Sequence, residues 1–336
     1  IRAMALNIYM EQSAVRDGVT AEEVKGILLG MASGQETLLG YFRRFIRNFE
    51  KRVGINRTVG SLRAYSNAYS HIERFLQAQY KLSDIPFSAL DRSFIDKYDL
   101  YLRTERNLAP GTIINLTVQL KTIVGEAIAD GIITASPFMG YEPVRPKHVQ
   151  KYLTAEELHR IMTTPLHRQT LYHVRDMFLF SCFTGIPYGD MRLLTKDNLC
   201  LAEDGIWWIK SARQKTKIEF EIPLLDLPLQ ILKKYSGTAP GDKLLPMYCN
   251  STLNLYLKEI ARICHIDRPL VFHAGRHTYA TEITLSHGVP LETVSRMLGH
   301  SQIETTQIYA KVTDEKIDAD TKALNRKISE RFSVVI

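Results

Sequence analysis

No apolar run in these 336 residues reaches the length of a bilayer span, and no secretory leader opens the chain. Internal repeats and low-complexity tracts are also missing, which excludes solenoids and fibrous architectures. The four cysteines, Cys182, Cys200, Cys249 and Cys264, are scattered, with no C-x-x-C pair and no Cys/His group at zinc spacing. They read as thiols of a reducing compartment, so the cytoplasm is the expected location. There is no G-x-x-x-x-G-K-[ST] loop to cradle a nucleoside triphosphate, and no cluster of carboxylates to hold a divalent metal.

The composition, 45% apolar and 24% charged, is that of a folded globular protein, and the length favours two domains. Lys and Arg outnumber Asp and Glu by 43 to 36, giving a net charge of +7. Such a surplus suits a polyanion, because each cation placed near a phosphate releases condensed counterions.

Before residue 137 the pattern is almost wholly helical. Leu38, Phe42, Phe45, Ile46 and Phe49 recur at helical spacing, with Arg43, Arg44, Arg47, Lys51 and Arg52 between or after them. Further helices are expected over Leu62–Leu76, after Asp91, and from Thr112 to Ala129. Thr20 to Glu23 resembles a capping box. The Pro- and Gly-bearing segment from Phe138 to His148 is the linker candidate. Beyond it Thr154 and Glu157 form a second capping box, and Asp176–Phe183 is an apolar helix running into Thr184-Gly185. Ile206–Ile209 and the alternating Ile218, Phe220 and Ile222 enclose a basic turn, which predicts a β-hairpin. Helices return after Asp226, with a final one expected over Thr313–Arg331.

Four segments carry chemistry. In His273-Ala-Gly-Arg276-His277-Thr278, His273 and Arg276 lie three apart, so a helix can aim both at one anion. In Leu298-Gly299-His300, the glycine ends a helix and presents His300; Thr305, Thr306 and Tyr309 follow. The Tyr309 phenol is a competent nucleophile if cations offset its ordinary pKa of about 10. The turn Arg213-Gln214-Lys215-Thr216-Lys217 offers a lysine able to protonate a leaving oxygen. The fourth, Phe183 to Asp190, joins a helix end to a helix start. Taken singly, each has a plain structural reading: a surface helix, a core tyrosine, a solvated turn, a loop.

Together, in order and spacing, they resemble the tyrosine recombinase (phage-type integrase) family. The matching features are H-x-x-R-H-T, L-G-H, the H-x(4)-T-T-x-x-Y run to Tyr309, the hairpin K-T, and T-G-x-x-x-x-D. The resemblance implies a mainly α protein. A helical core-binding domain over 36–140 would precede a mostly helical catalytic domain with a small antiparallel sheet over 148–336. Residues 1–35 would be a remnant of, or linker to, an arm-binding domain, an expectation prompted by the opening Ile1. It implies site-specific cleavage and rejoining of DNA through a 3′-phosphotyrosine at Tyr309, for integration of a mobile element. Arg276 would hold the non-bridging oxygens, His273 would bond the phosphate and help take the tyrosine proton, and His300 would bond the transition state. Lys215 would protonate the departing 5′ oxygen. Neither metal nor ATP is implied, since fixed cations stabilise the transition state and the phosphotyrosine conserves the bond energy. The implied partners are double-stranded DNA, three further copies in a homotetramer on synapsed DNA (a monomer when free), and accessory DNA-bending proteins. Location at the nucleoid follows. Arg43, Arg44, Arg47, Lys51, Arg52, Arg145, Lys147 and Lys151 are the candidate backbone contacts.

One departure stands out: the first box of the family carries an arginine where this chain has Pro187. Either catalysis is impaired, leaving a DNA-binding protein of the same fold, or another cation substitutes. Arg213, two residues before Lys215 and on the same face of an extended strand, is the expected replacement; Arg192 points away from position 187. A type IB topoisomerase shares this chemistry, but the helical domain ahead of the T-G box fits a recombinase better.

Overall fold

The structure is a computed structural model and describes residues 2–13, 19–21, 24–25, 36–145, 151–310 and 314–329. The chain divides into two compact units, 1–148 and 149–336.

The first unit is helical: α1 (Arg2–Ser13), α2 (Leu38–Glu50), α3 (Val59–Tyr80), α4 (Arg92–Thr104) and α5 (Pro110–Ala129). Local chemistry sets the helix starts. The Thr58 hydroxyl accepts from Ser61 N at 3.2 Å and the Asp91 carboxylate from Phe94 N at 2.7 Å, while Pro110 opens α5. The distant Asp84 carboxylate takes the first free amides of α2, Leu39 N at 2.8 Å and Gly40 N at 3.0 Å. The core is aromatic. Phe75 meets the rings of Tyr80, Phe94, Tyr98 and Tyr101 at centroid distances of 5.1–5.6 Å. The capping box proposed at Thr20–Glu23 lies partly outside the described residues, as does the end of the linker.

The second unit opens with α6 (Ala155–Thr163), whose capping box is made: Glu157 N donates to the Thr154 hydroxyl, and Thr154 N donates to the Glu157 carboxylate. Next comes α7 (Gln169–Thr184), longer at its start than its apolar stretch suggested. It is buried on every side over residues 176–182, as befits a helix threading a core. Its buried Asp176 is compensated by Lys234 at 2.5 Å and the Tyr235 hydroxyl at 2.9 Å. The short α8 (Tyr188–Met191) follows.

The sheet has three antiparallel strands, β1 (Leu199–Leu201), β2 (Trp207–Ala212) and β3 (Glu219–Pro223), in that spatial order. Leu199 and Ile222 flank Ile209 in register, and Phe220 and Ile222 face the core while Glu219 and Glu221 face solvent. The expected hairpin is present; β1 is an addition to it. After the sheet come α9 (Asp226–Tyr235), α10 (Asn250–Ile263), α11 (Ala274–Thr278), a π-helical segment (Tyr279–Thr284), α12 (Leu291–Leu298), α13 (Glu304–Gln307) and α14 (Asp314–Ser329). The expected mainly α architecture with a small antiparallel sheet is what the structure has. No helix among the described residues is long and apolar enough to cross a membrane.

Candidate active site

Two helix ends build the floor of the site. Helix α7 stops at Gly185, which takes a left-handed conformation (φ 70°) and donates its N–H to Ser181 O. Helix α12 stops at Gly299 (φ 63°), with Gly299 N bonded to Arg296 O and His300 N to Ser295 O, a Schellman turn. That turn satisfies the Ser295 and Arg296 carbonyls and leaves the Leu298 carbonyl for a side chain. Arg276, on α11 and only 3% exposed, uses both ends. It donates to Gly185 O at 2.9 Å, to Leu298 O at 2.7 Å, and to His300 Nε2 at 2.9 Å. The negative ends of two helix dipoles thus face a buried guanidinium. Burial first, and then the like charge of Arg213, push its pKa down to about 10, so it remains charged at neutral pH.

Arg213 reaches the same place from the hairpin. It donates to Leu298 O at 3.0 Å, and its Nε lies 2.7 Å from an Asp190 carboxylate oxygen. The other Asp190 oxygen accepts Gln214 N at 2.9 Å, so one buried carboxylate pins both backbone and side chain of the turn onto α8. The closeness is constrained: a Cβ on Gly299 would stand 2.8 Å from Arg213 Cγ.

Tyr309 follows α13 and is 7% exposed, packed with Tyr279, Ala280, Val294 and Leu298. Burial raises its pKa; Arg276, by charge and hydrogen bonding, and Arg213, by charge, oppose that rise. The His300 ring stacks parallel to Tyr309 at 6.3 Å, and the His277 ring meets it edge-on at 5.1 Å. His300 Nδ1 faces the Thr306 hydroxyl at 2.7 Å. Burial, then Arg276 and Arg213, push His300 down to about 4; burial, then His273, Lys151 and Arg276, do the same to His277. Both imidazoles are therefore neutral at neutral pH. His273, at the start of α11, keeps an exposed edge, but its ring lies 4.8 Å from that of His277, and desolvation among its neighbours, then Arg276, Arg213 and Lys151, hold it below its ordinary pKa. A cavity of about 410 Å³, lined in part by Lys151, Tyr152, Val271, His273 and His277, opens beside these rings.

Of the residues predicted for chemistry, the structure gathers Tyr309, Arg276, His300 and Arg213, with His273 at the edge. Lys215 stays in the exposed turn between β2 and β3. Arg213 and Lys215 do not share a strand face, contrary to expectation. Strand β2 ends at Ala212, so residues 213–218 form a turn rather than an alternating strand, and Asp190 brings Arg213 inward instead. Pro187 caps α8 in an extended conformation, and Arg192 is exposed at the far end of that helix.

The predicted DNA contacts divide. Arg43 donates to the Tyr69 hydroxyl at 2.6 Å and Arg44 to Glu36 at 2.6 Å, so both already have partners. Arg47, Lys51, Arg52, Arg145 and Lys151 are exposed, and Lys147 lies outside the described residues. The Gly185 and Leu298 carbonyls, the Asp190 carboxylate, the Thr306 hydroxyl and the His277 ring had no role assigned from the sequence. Main-chain acceptors leave no trace in side-chain identity. Thr306 and His277 stand inside the quoted motifs, and their spacing from His300 and Arg276 was the available signal.

The phage integrase family model matches residues 151–316, and the phage integrase SAM-like domain matches residues 37–143. The chain belongs to the tyrosine recombinase family, whose members break and rejoin DNA strands. It is 25% identical over 273 residues to tyrosine recombinase XerD of Listeria monocytogenes, covering 76% of this chain and 89% of that protein. It is 26% identical to XerD of Staphylococcus saprophyticus over 297 residues, covering 84% and 96%. Among solved structures, the Tn1549 transposon integrase in complex with transposon right-end DNA has a similar fold. Its TM-score is 0.67 at 18% identity, over 86% of this chain and 99% of that one. A lambda integrase dimer bound to a COC′ core site also gives 0.67 at 18% identity, over 83% and 100%.

Proposed function

We propose that this chain is the site-specific recombinase of a mobile element, acting through a 3′-phosphotyrosine at Tyr309. The observation that carries this reading is the convergence of Arg276 and Arg213 on Leu298 O beside the Tyr309 phenol. Two guanidiniums held by helix ends form a fixed cationic cradle, in place before any substrate arrives. Arg213 fills the role that Pro187 cannot, so the absence of the first-box arginine does not argue for an inactive protein.

In the proposed step the Tyr309 oxygen attacks phosphorus as the P–O5′ bond breaks. Arg276, Arg213 and His300 bond the non-bridging oxygens, whose charge grows in the transition state. The phenol proton passes to His273, and Lys215, free to move on its exposed turn, delivers one to the leaving 5′ oxygen. A 5′ hydroxyl from the partner strand then attacks the phosphotyrosine and releases Tyr309.

We further propose that the first unit is a core-binding domain, with Arg47, Lys51 and Arg52, together with Arg145, Lys147 and Lys151, contacting backbone phosphates. Its relatives' dimeric DNA complexes support assembly on paired sites; the full reading is a homotetramer at the nucleoid, with DNA-bending accessory proteins. Helix α14 presents exposed Ile317, Leu324 and Ile328 at helical spacing, a stripe suited to docking on a neighbouring copy. Nicked duplexes bearing candidate attachment sites test the chemistry, because the small 5′ fragment diffuses away and traps the adduct. A denaturation-resistant adduct absent from Tyr309→Phe is the expected result. Binding to those sites without any adduct would return the reading to an inactive DNA-binding protein.

A further inference from the structure

Hydrogen-bond bookkeeping around His300 fixes a tautomer. A guanidinium only donates, so the 2.9 Å contact from Arg276 makes His300 Nε2 an acceptor. The imidazole is neutral, and its one proton therefore sits on Nδ1, which donates to the Thr306 hydroxyl 2.7 Å away. Thr306 is fully buried, and among the described residues its hydroxyl has no other hydrogen-bond partner. In this state the hydroxyl accepts a hydrogen bond but has no acceptor for its own, which leaves a buried donor unsatisfied.

The proposed reaction requires the opposite tautomer. To donate to a phosphate oxygen, His300 must carry its proton on Nε2, leaving Nδ1 as an acceptor. The Thr306 hydroxyl can then rotate and donate to Nδ1, so its buried donor is satisfied in this state and not in the free one. We infer that Thr306 is a positioning residue that holds His300 in its Nε2-protonated, phosphate-donating tautomer once a DNA phosphate draws Arg276 away from Nε2. No net charge is gained by the ring: water delivers a proton to Nε2 as the Nδ1 proton is lost to water, the two transfers balancing. Only a group that both accepts and donates can serve the two states, which is the property of a hydroxyl. The inference rests on the recombinase reading for the role of His300, while the tautomer change itself is measurable without strand cleavage.

Nitrogen-15 NMR of labelled histidine, read on the intact chain free and on an uncleavable duplex attachment site with Tyr309→Phe, tests the switch. The expected result is Nδ1–H in the free protein and Nε2–H in the DNA complex. An Nε2–H tautomer already present in the free protein, or Nδ1–H persisting in the complex, overturns it. Thr306→Val and Thr306→Ser are then compared on nicked duplexes. Valine keeps the shape and loses the donor; its adduct formation should fall by about 10- to 100-fold, as loss of an orienting second partner typically does, with DNA affinity unchanged. Serine should restore the rate to within a few-fold. Equal rates for valine and wild type overturn the inference even if wild type forms the adduct; absence of adduct from wild type overturns the recombinase reading and leaves the tautomer measurement to decide Thr306. Should valine fail to fold, the wild-type NMR and the serine variant still decide it.

Discussion

Arg213 and Arg276 share one acceptor: both guanidiniums donate to the carbonyl oxygen of Leu298, at 3.0 and 2.7 Å. Two like charges meet there because a helix C-terminus and the Asp190 carboxylate offset their repulsion. The arrangement assigns work to Arg213 that its place in a basic turn does not suggest.

Arg213→Ala should therefore lower adduct formation by about 100- to 1,000-fold, the usual effect of removing one preorganised donor to a developing oxyanion. Binding to the attachment site should change little, since one phosphate contact among many is lost. Arg213→Lys should recover part of the rate, because lysine supplies charge without the fork that engages Leu298 and Asp190 together. Adduct formation by Arg213→Ala at the wild-type rate would remove Arg213 from the clamp.

Asp190→Asn should act through the same residue. It keeps the bond to Gln214 N available but removes the charge facing Arg213, whose guanidinium is then held by Leu298 alone. Cleavage should fall, and the Arg213→Ala change should cost less in the Asp190→Asn background than alone. A double-mutant cycle on adduct formation measures this; strict additivity would mean the two residues do not act as a unit.

Much of this site was legible because its parts are local. Arg276 follows His273 by three positions, and Gly299 announces a helix end immediately before His300, so spacing placed these side chains, while their roles came from the resemblance to the recombinase family. The unread part is long-range. The Arg213 contact to Leu298 spans 85 residues and the Gln214 contact to Asp190 spans 24. No periodicity encodes either. The strand alternation that pointed to Arg213 failed at the turn, because a six-residue excursion between β2 and β3 breaks the two-residue period. Strand β1 was missed for a related reason: three residues are too few to show alternation.

Gly299→Ala joins both kinds of information. The added Cβ falls 2.8 Å from Arg213 Cγ, and the backbone at φ 63° is one that alanine adopts at a cost of about 1–2 kcal/mol. Thermal unfolding should detect a loss of that order. Cleavage should fall further than stability explains, because Arg213 must shift to make room. A variant with a lowered Tm and an unchanged cleavage rate would separate the glycine from the clamp.

Acid should destabilise the second unit through its two neutral histidines. His277 and His300 are pushed from 6.5 to about 4 in the folded protein, so between those values the unfolded chain binds the additional protons. Stability is then fully present above about pH 6.5 and is lost as pH falls toward 4. The difference in Tm between wild type and His277→Gln, followed from pH 7.5 to 4.5, should shrink or reverse on acidification. A difference independent of pH would mean His277 is not held neutral.

The free protein leaves Lys215 in solvent, on a turn whose Lys217 has φ 60°. If it protonates the leaving oxygen, its importance must depend on how badly that oxygen needs a proton. An alkoxide resembles hydroxide, whose parent water has a pKa of about 15.7, whereas a thiol ionises near 8.5. Replacing the bridging 5′ oxygen with sulfur therefore removes the need for an acid. Lys215→Ala should slow cleavage of ordinary nicked DNA by about 100-fold or more, within the range for general acid catalysis, and leave cleavage of the sulfur-bridged duplex near the wild-type rate. An equal loss on both substrates would make Lys215 a phosphate contact rather than a proton donor, and the search for the acid would move to Lys217 on the same turn.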